Sequence, residues 1–97
     1  MKSAREMFEE LGYEETTLKD HTIEYSLKDY DEFNGYFISC KIIFYKRHKR
    51  IEIRGLIDEK ELQAINKQVE ELKWKVEEWG RYGILEMEKY NNWFWYY

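Results

Sequence analysis

The sequence predicts an α+β domain: a short helix, three strands forming an antiparallel sheet, a long helix packed on that sheet, and an aromatic C-terminal extension. Three observations carry this α-β-β-β-α expectation. Residues 4–11 place apolar side chains at helical spacing between a capping serine and a glycine. Residues 22–54 alternate apolar and polar positions at period two, broken by turn signals. Residues 58–79 hold an apolar stripe recurring every three or four positions. A chain of 97 residues suits a single domain, with 1–79 as the core and 80–97 as the extension.

The first helix starts at Ser3, with Glu6 completing a capping box, and its stripe is Ala4, Met7, Phe8 and Leu11. Gly12 is placed to take the left-handed conformation that stops it. Residues 13–20 read as a polar connection with an extended piece around Thr16 to Leu18. Ile23, Tyr25 and Leu27 then form the buried side of a strand, and 28–35 form a connection whose turn signal is Asn34-Gly35. From Tyr36 to Tyr45 the chain reads as a central strand. Tyr36, Ile38, Cys40, Ile42 and Phe44 share one face of it, and Phe37, Ser39, Lys41, Ile43 and Tyr45 the other. A basic turn, Lys46 to Arg50, leads into a shorter strand through Ile51 and Ile53. Asp58 and Glu61 cap the long helix, whose stripe is Leu62, Ile65, Val69, Leu72, Val76 and Trp79. A helix lying on a sheet needs such a seam; a homodimer through it is the alternative. Ile84, Leu85 and Met87 read as the start of a further helical stretch reaching Tyr90.

Composition narrows the function classes. At 43% hydrophobic and 19% aromatic, the chain is too apolar for a disordered tail. The lone cysteine, Cys40, cannot close an internal disulfide, so the expected compartment is a reducing cytoplasm. No stretch approaches the ~20 apolar residues of a membrane span, and residues 1–12 lack the apolar run of a signal peptide, so no membrane partner is expected. Charge is segregated. Residues 41–54 hold six basic and one acidic side chain, between two acidic segments, although the whole chain carries −4.

Catalytic chemistry finds no footing. His21 and His48 stand apart in polar connections, with no ligand at metal spacing. Cys40 sits on an alternating apolar face, where a thiol behaves as a small hydrophobe. Gly-rich phosphate loops and nucleophile elbows are missing. The expectation is therefore no enzyme, no catalytic residue, no cofactor and no metal. Binding has two candidate surfaces. All four tryptophans fall in the last 24 residues, and Trp93, Phe94, Trp95, Tyr96 and Tyr97 run together. With Trp79 they are the candidate partner-binding anchors, because Trp and Tyr dominate interface hot spots. Folding back to complete the core is the competing reading. Lys46, Arg47, Lys49 and Arg50, with Tyr45 for stacking, form the candidate electrostatic or nucleic-acid surface. A solvated hairpin turn is the plain reading of the same residues.

Three stretches resemble a known set of proteins. They are Ala4-Arg5-Glu6-Met7-Phe8-Glu9-Glu10-Leu11-Gly12-Tyr13, then Ile23-Glu24-Tyr25, then Leu62-Gln63-Ala64-Ile65-Asn66-Lys67-Gln68-Val69-Glu70-Glu71-Leu72 with Trp74. Over residues 4–74 the chain is similar to small proteins of no established activity carried by phages and prophages of Gram-positive bacteria. The resemblance implies an α-β-β-β-α arrangement and a cytoplasmic setting in an infected or lysogenic cell. Accessory proteins of that origin often act against host defence. The pattern tends to carry glycine before the tryptophan and to end soon after; this chain has Lys73 there and continues through residue 97. The resulting expectation is a stoichiometric protein binder, an inhibitor of a bacterial host or defence component. Nucleic-acid or nucleotide binding through 46–50 is the alternative.

Overall fold

The computed structural model describes residues 2–74, 84–87 and 92–96, the last two segments as backbone strands. In chain order the elements are α1 (Ala4–Glu10), β1 (Tyr13–Glu15), β2 (Thr22–Asp31), β3 (Gly35–Tyr45), β4 (Arg50–Arg54), α2 (Glu59–Glu71), β5 (Ile84–Met87) and β6 (Asn92–Tyr96). The class is α+β. The sheet has six strands, ordered β1-β2-β3-β4-β6-β5, with every neighbouring pair antiparallel.

Local capping explains both helices. Ser3 Oγ accepts from the Glu6 backbone N–H at 3.1 Å, and Asp58 Oδ1 accepts from the Lys60 and Glu61 N–H groups at 2.9 and 3.2 Å. These bonds satisfy donors that a helix start leaves open. At its far end α1 stops at Gly12, with φ +94°, whose N–H reaches the Glu9 carbonyl at 3.0 Å. Helix α2 ends sooner than the apolar stripe suggests. Lys73 takes a left-handed φ of 60°; its N–H bonds the Glu70 carbonyl, and the Trp74 N–H bonds the Val69 carbonyl. This pair of reversed bonds closes a helix in the Schellman manner and turns Trp74 back into the core. The long helix to residue 79 is thus corrected to one ending at Glu71; Val76 and Trp79 lie outside the described residues.

The core lies between the helices and one face of the sheet. Phe8 stacks on Tyr25 with ring centroids 4.0 Å apart and meets the edge of Phe44 at 6.3 Å. Ile42, Ile51, Ala64, Ile65 and Val69 close around them. Each of the Phe, Ile and Val side chains contributes roughly 1.5–3 kcal/mol on burial. Polar ties fix the helix positions. The Tyr25 hydroxyl donates to Gln68 Oε1 at 2.6 Å, the Tyr13 hydroxyl to Glu61 Oε2 at 2.9 Å, and the Ala4 N–H to Glu71 Oε2 at 2.8 Å. The last bond uses the end of α2 to satisfy the start of α1. Burial pushes the Glu61 carboxyl above its ordinary range, although the Tyr13 bond opposes this.

The sheet differs from expectation in four places. Its first strand is Tyr13–Glu15, earlier than the extended piece expected at Thr16 to Leu18. Strand β2 continues to Asp31, so the 28–35 connection shrinks to a short turn at 32–34. Residues 84–87 are strand, where helix was expected, and the aromatic run 92–96 is strand β6. It pairs with β4 on one side and β5 on the other, so its backbone lies within the sheet. Finally, β3 is not in phase along its length. Leu27 faces Cys40 but Lys28 faces Ile38, which leaves Ser39 as an extra residue. Its hydroxyl donates to the Leu27 carbonyl at 3.1 Å. A one-residue bulge reverses the inside–outside order. Tyr36 and Ile38 therefore lie on the face opposite Cys40, Ile42 and Phe44.

Replacing Lys73 by glycine should stabilise the domain by ~0.5–1 kcal/mol, since glycine adopts the left-handed cap without the Cβ penalty that lysine bears. The check is urea denaturation: a higher midpoint at unchanged slope is expected. A lower midpoint would show that the lysine side chain outweighs the backbone strain.

Candidate functional site

Strand β3 carries a distinct surface at each end. At its start, β2 and β3 run past their neighbours. Pairing with β1 ends at Leu27, opposite Tyr13, and pairing with β4 ends at Lys41, opposite Arg54. Residues 28–38 therefore form a two-stranded arm, with no third strand beside it among the described residues. Gly55 explains why β4 cannot follow further: a Cβ there would sit 2.7 Å from the Ser39 carbonyl oxygen, so the chain passes close across the bulge and leaves the sheet. The arm's turn is fixed by Asp31 Oδ1, which accepts from the Phe33 and Asn34 N–H groups at 2.7 and 3.3 Å. Such a side-chain turn needs no outside support.

What the arm displays is aromatic and acidic. Phe33 at its tip is 92% exposed, Tyr36 77% and Tyr30 59%, with Phe37 and Ile38 nearly half exposed. Tyr30 and Tyr36 face each other across the strands, edge to face at 5.1 Å. Asp29, Asp31 and Glu32 stand among these rings against a single cation, Lys28, whose Nζ lies 3.6 Å from Glu14. Clustered exposed rings of this kind mark interaction surfaces. The sequence carried a signal for the arm: Tyr30 and Phe33 on one side of Asn34-Gly35 and Tyr36 and Phe37 on the other. Assigning 28–35 to a connection concealed it.

The opposite end is basic. Residues 46–49 form the β3–β4 turn, with Lys49 at φ 50°. The Lys46 N–H donates to the His21 carbonyl at 2.8 Å and so ties this turn to the 16–21 connection. Lys19 and His21 thereby join Lys46, Arg47, His48 and Lys49 at one edge. Beside them a groove of about 120 Å³ is lined by Leu18, Lys19, Thr22, Glu24, Ile43 and Tyr45, and Leu18 is 91% exposed. Tyr45 is more occupied than a stacking platform would be. Its ring lies 4.9 Å below the Arg50 guanidinium, and its hydroxyl donates to Glu52 Oε1 at 2.6 Å. Glu52 is 3% exposed, on the sheet face away from the helices, and also accepts from the Arg54 guanidinium.

The remaining candidates are quickly placed. The Cys40 thiol is buried, and that burial pushes its pKa up, away from the thiolate a nucleophile requires. Among the described residues no three metal-ligating side chains converge, and no helix is long and apolar enough to cross a membrane. A hollow of about 700 Å³ between α1 and α2 is bordered by Met7, Leu11, Lys60, Gln63, Lys67 and Glu70. Its charges answer one another, Lys67 with Glu70 at 3.8 Å and Lys2 with Glu10 at 2.6 Å. Trp93, Phe94, Trp95 and Tyr96 belong to strand β6; Tyr97 and Trp79 lie outside the described residues. No family model, no curated protein and no solved structure matches this chain.

Burial first, then the bond to Glu52 and its charge, push the Tyr45 phenol up to about 12. The folded state thus favours the neutral phenol. That contribution is complete below pH ~10 and is lost as pH climbs towards 12. Tyr45→Phe should delete one late phenolate step from an alkaline absorbance titration and cost about 1–2 kcal/mol at neutral pH. Loss of a step near pH 10 instead would refute the arrangement.

Proposed function

We propose that this protein acts by stoichiometric binding to another protein, with the 28–38 arm as its principal contact. The exposed Tyr30, Phe33 and Tyr36 cluster on a turn-stabilised hairpin carries this reading. An exposed hydrophobic cluster raises the free energy in water, and covering the rings with a partner lowers it. The arm's side-chain turn and its Tyr30–Tyr36 pair hold the shape before binding, so little ordering cost falls on association. The mechanism is steric occupation of the partner's surface and requires no cofactor. The resemblance over residues 4–74 suggests the setting: a phage-type accessory protein in a bacterial cytoplasm, inhibiting a host or defence component.

The 92–96 run offers less as a docking edge, because both sides of its backbone are paired within the sheet. A second reading, nucleic-acid binding, is favoured by one observation. The Lys46–His21 bond gathers cations from two separate loops onto one edge, as a phosphate-binding surface requires.

A variant carrying Tyr30→Ser, Phe33→Ser and Tyr36→Ser should fold with nearly unchanged urea stability, since the rings are largely in solvent. Its capture of a partner from host lysate should fall by about 30-fold or more, as expected when interface anchors are removed. Undiminished capture would remove the arm from the mechanism. Capture lost only on charge reversal at Lys46 and Arg47, and competed by single-stranded nucleic acid, would favour the second reading.

A further inference from the structure

The two ends of the sheet complement each other, although one molecule cannot bring them together. Strand β3, 11 residues long, separates them by roughly 33–36 Å at strand rise. The arm presents three carboxylates and one lysine that already has an acidic neighbour. The far edge presents Lys19, Lys46 and Arg47, with Asp20 and, in the groove itself, Glu24 as opposing charges, the latter 3.9 Å from Lys41 Nζ. Shape agrees with charge. Phe33 projects from the arm's tip, and the groove beside Leu18 and Tyr45 measures about 120 Å³. That is less than the ~150 Å³ closed cavity that takes a whole benzene ring, so the groove receives the ring's edge, with Leu18, Ile43 and Tyr45 as its apolar contacts.

We infer that the arm of one copy docks on the basic edge of a second copy, with the Phe33 ring seated between Leu18 and Tyr45. The contact is head-to-tail: the patches that meet are different, so each added copy leaves one arm and one basic edge open. Pairing arm with arm would instead set Asp29, Asp31 and Glu32 against their own duplicates. Attraction between the ends is electrostatic at long range and screened by salt, whereas the ring in its groove holds the contact once formed. The inference stands apart from the host-partner reading, because it requires only this chain.

Sedimentation velocity on the full chain tests it. At low salt the average sedimentation coefficient should rise with concentration, and high salt should reverse the rise. Phe33→Ser should weaken self-association about tenfold or more, as loss of a buried ring at a contact does. Two charge variants complete the test: Asp29→Lys with Glu32→Lys on the arm, and Lys19→Glu, Lys46→Glu and Arg47→Glu on the far edge. Each alone should be monomeric, with a circular dichroism spectrum like that of the parent. Their mixture should associate, because reversed arm then meets reversed edge.

A monomer at every concentration overturns the inference, as does association indifferent to Phe33→Ser. Failure of the mixture to associate overturns the charge pairing. Association of the edge variant alone, with its arm intact, would place arm against arm instead. None of these results touches capture of a host protein by the arm, which the lysate experiment reads separately.

Discussion

An extra residue in β3 sets most of what this molecule can offer to others. Ser39 has no partner across β2, and its hydroxyl is bound to the Leu27 carbonyl. From Cys40 onward the strand is committed to the core, packed on Phe8, Tyr25 and α2. Before the bulge the alternation inverts, and Tyr36 and Ile38 emerge on the face away from the helices. The same irregularity controls where β4 stops, because Gly55 passes within contact of the Ser39 carbonyl and only a residue without a Cβ fits there. An unbroken β3 would direct Tyr36 and Ile38 to the helix side and give β4 a straight edge to follow. The arm exists because the ladder is interrupted.

A hairpin extending past its sheet is a liability unless something holds it. Isolated two-stranded hairpins are marginal in water. Here the strands are anchored at one end by the Tyr25–Phe44 core and closed at the other by the Asp31 turn, with the Tyr30–Tyr36 edge-to-face pair between. Asp29, Asp31 and Glu32 sit along its length, and charge on an open strand edge is a common guard against indiscriminate pairing. The same carboxylates that guard the edge also give it a sign. The arm accordingly repels its own duplicate and attracts cationic surfaces.

Much of this architecture was legible because it is local. Ser3 with Glu6, Gly12, and Asp58 with Glu61 mark helix ends by bonds spanning three or four residues, and the structure places those ends as read. Period-two alternation found the cores of β2, β3 and β4. Three kinds of information were not local. The stripe through Val76 and Trp79 concealed the end of α2, since Lys73 holds a left-handed cap that lysine rarely signals and that Trp74 enforces by packing into the core. The bulge at Ser39 depends on pairing between strands, so counting along one strand assigned Tyr36 and Ile38 to the wrong face. The aromatic run reads as an extension that anchors a partner or folds back on the core, and not as a strand, because nothing nearby marks it as one; its partner, β4, lies about forty residues earlier. Tyr45 likewise reads as a free ring until the buried Glu52 and the overlying Arg50 are seen.

The arm has two proposed claimants, a foreign protein and the basic edge of its own kind, and mass action would order them. Self-docking offers one ring, one shallow groove and salt-sensitive attraction, which together support only a weak contact. A target that covers Tyr30, Phe33 and Tyr36 together removes more apolar surface from water and competes with it effectively. At high concentration without target, chains of copies would therefore keep the aromatic tips covered. When target appears, each arm it takes releases one basic edge. The edge released belongs to the neighbouring copy, so capture of an arm on one molecule would be linked by mass action to exposure of a cationic surface on the next.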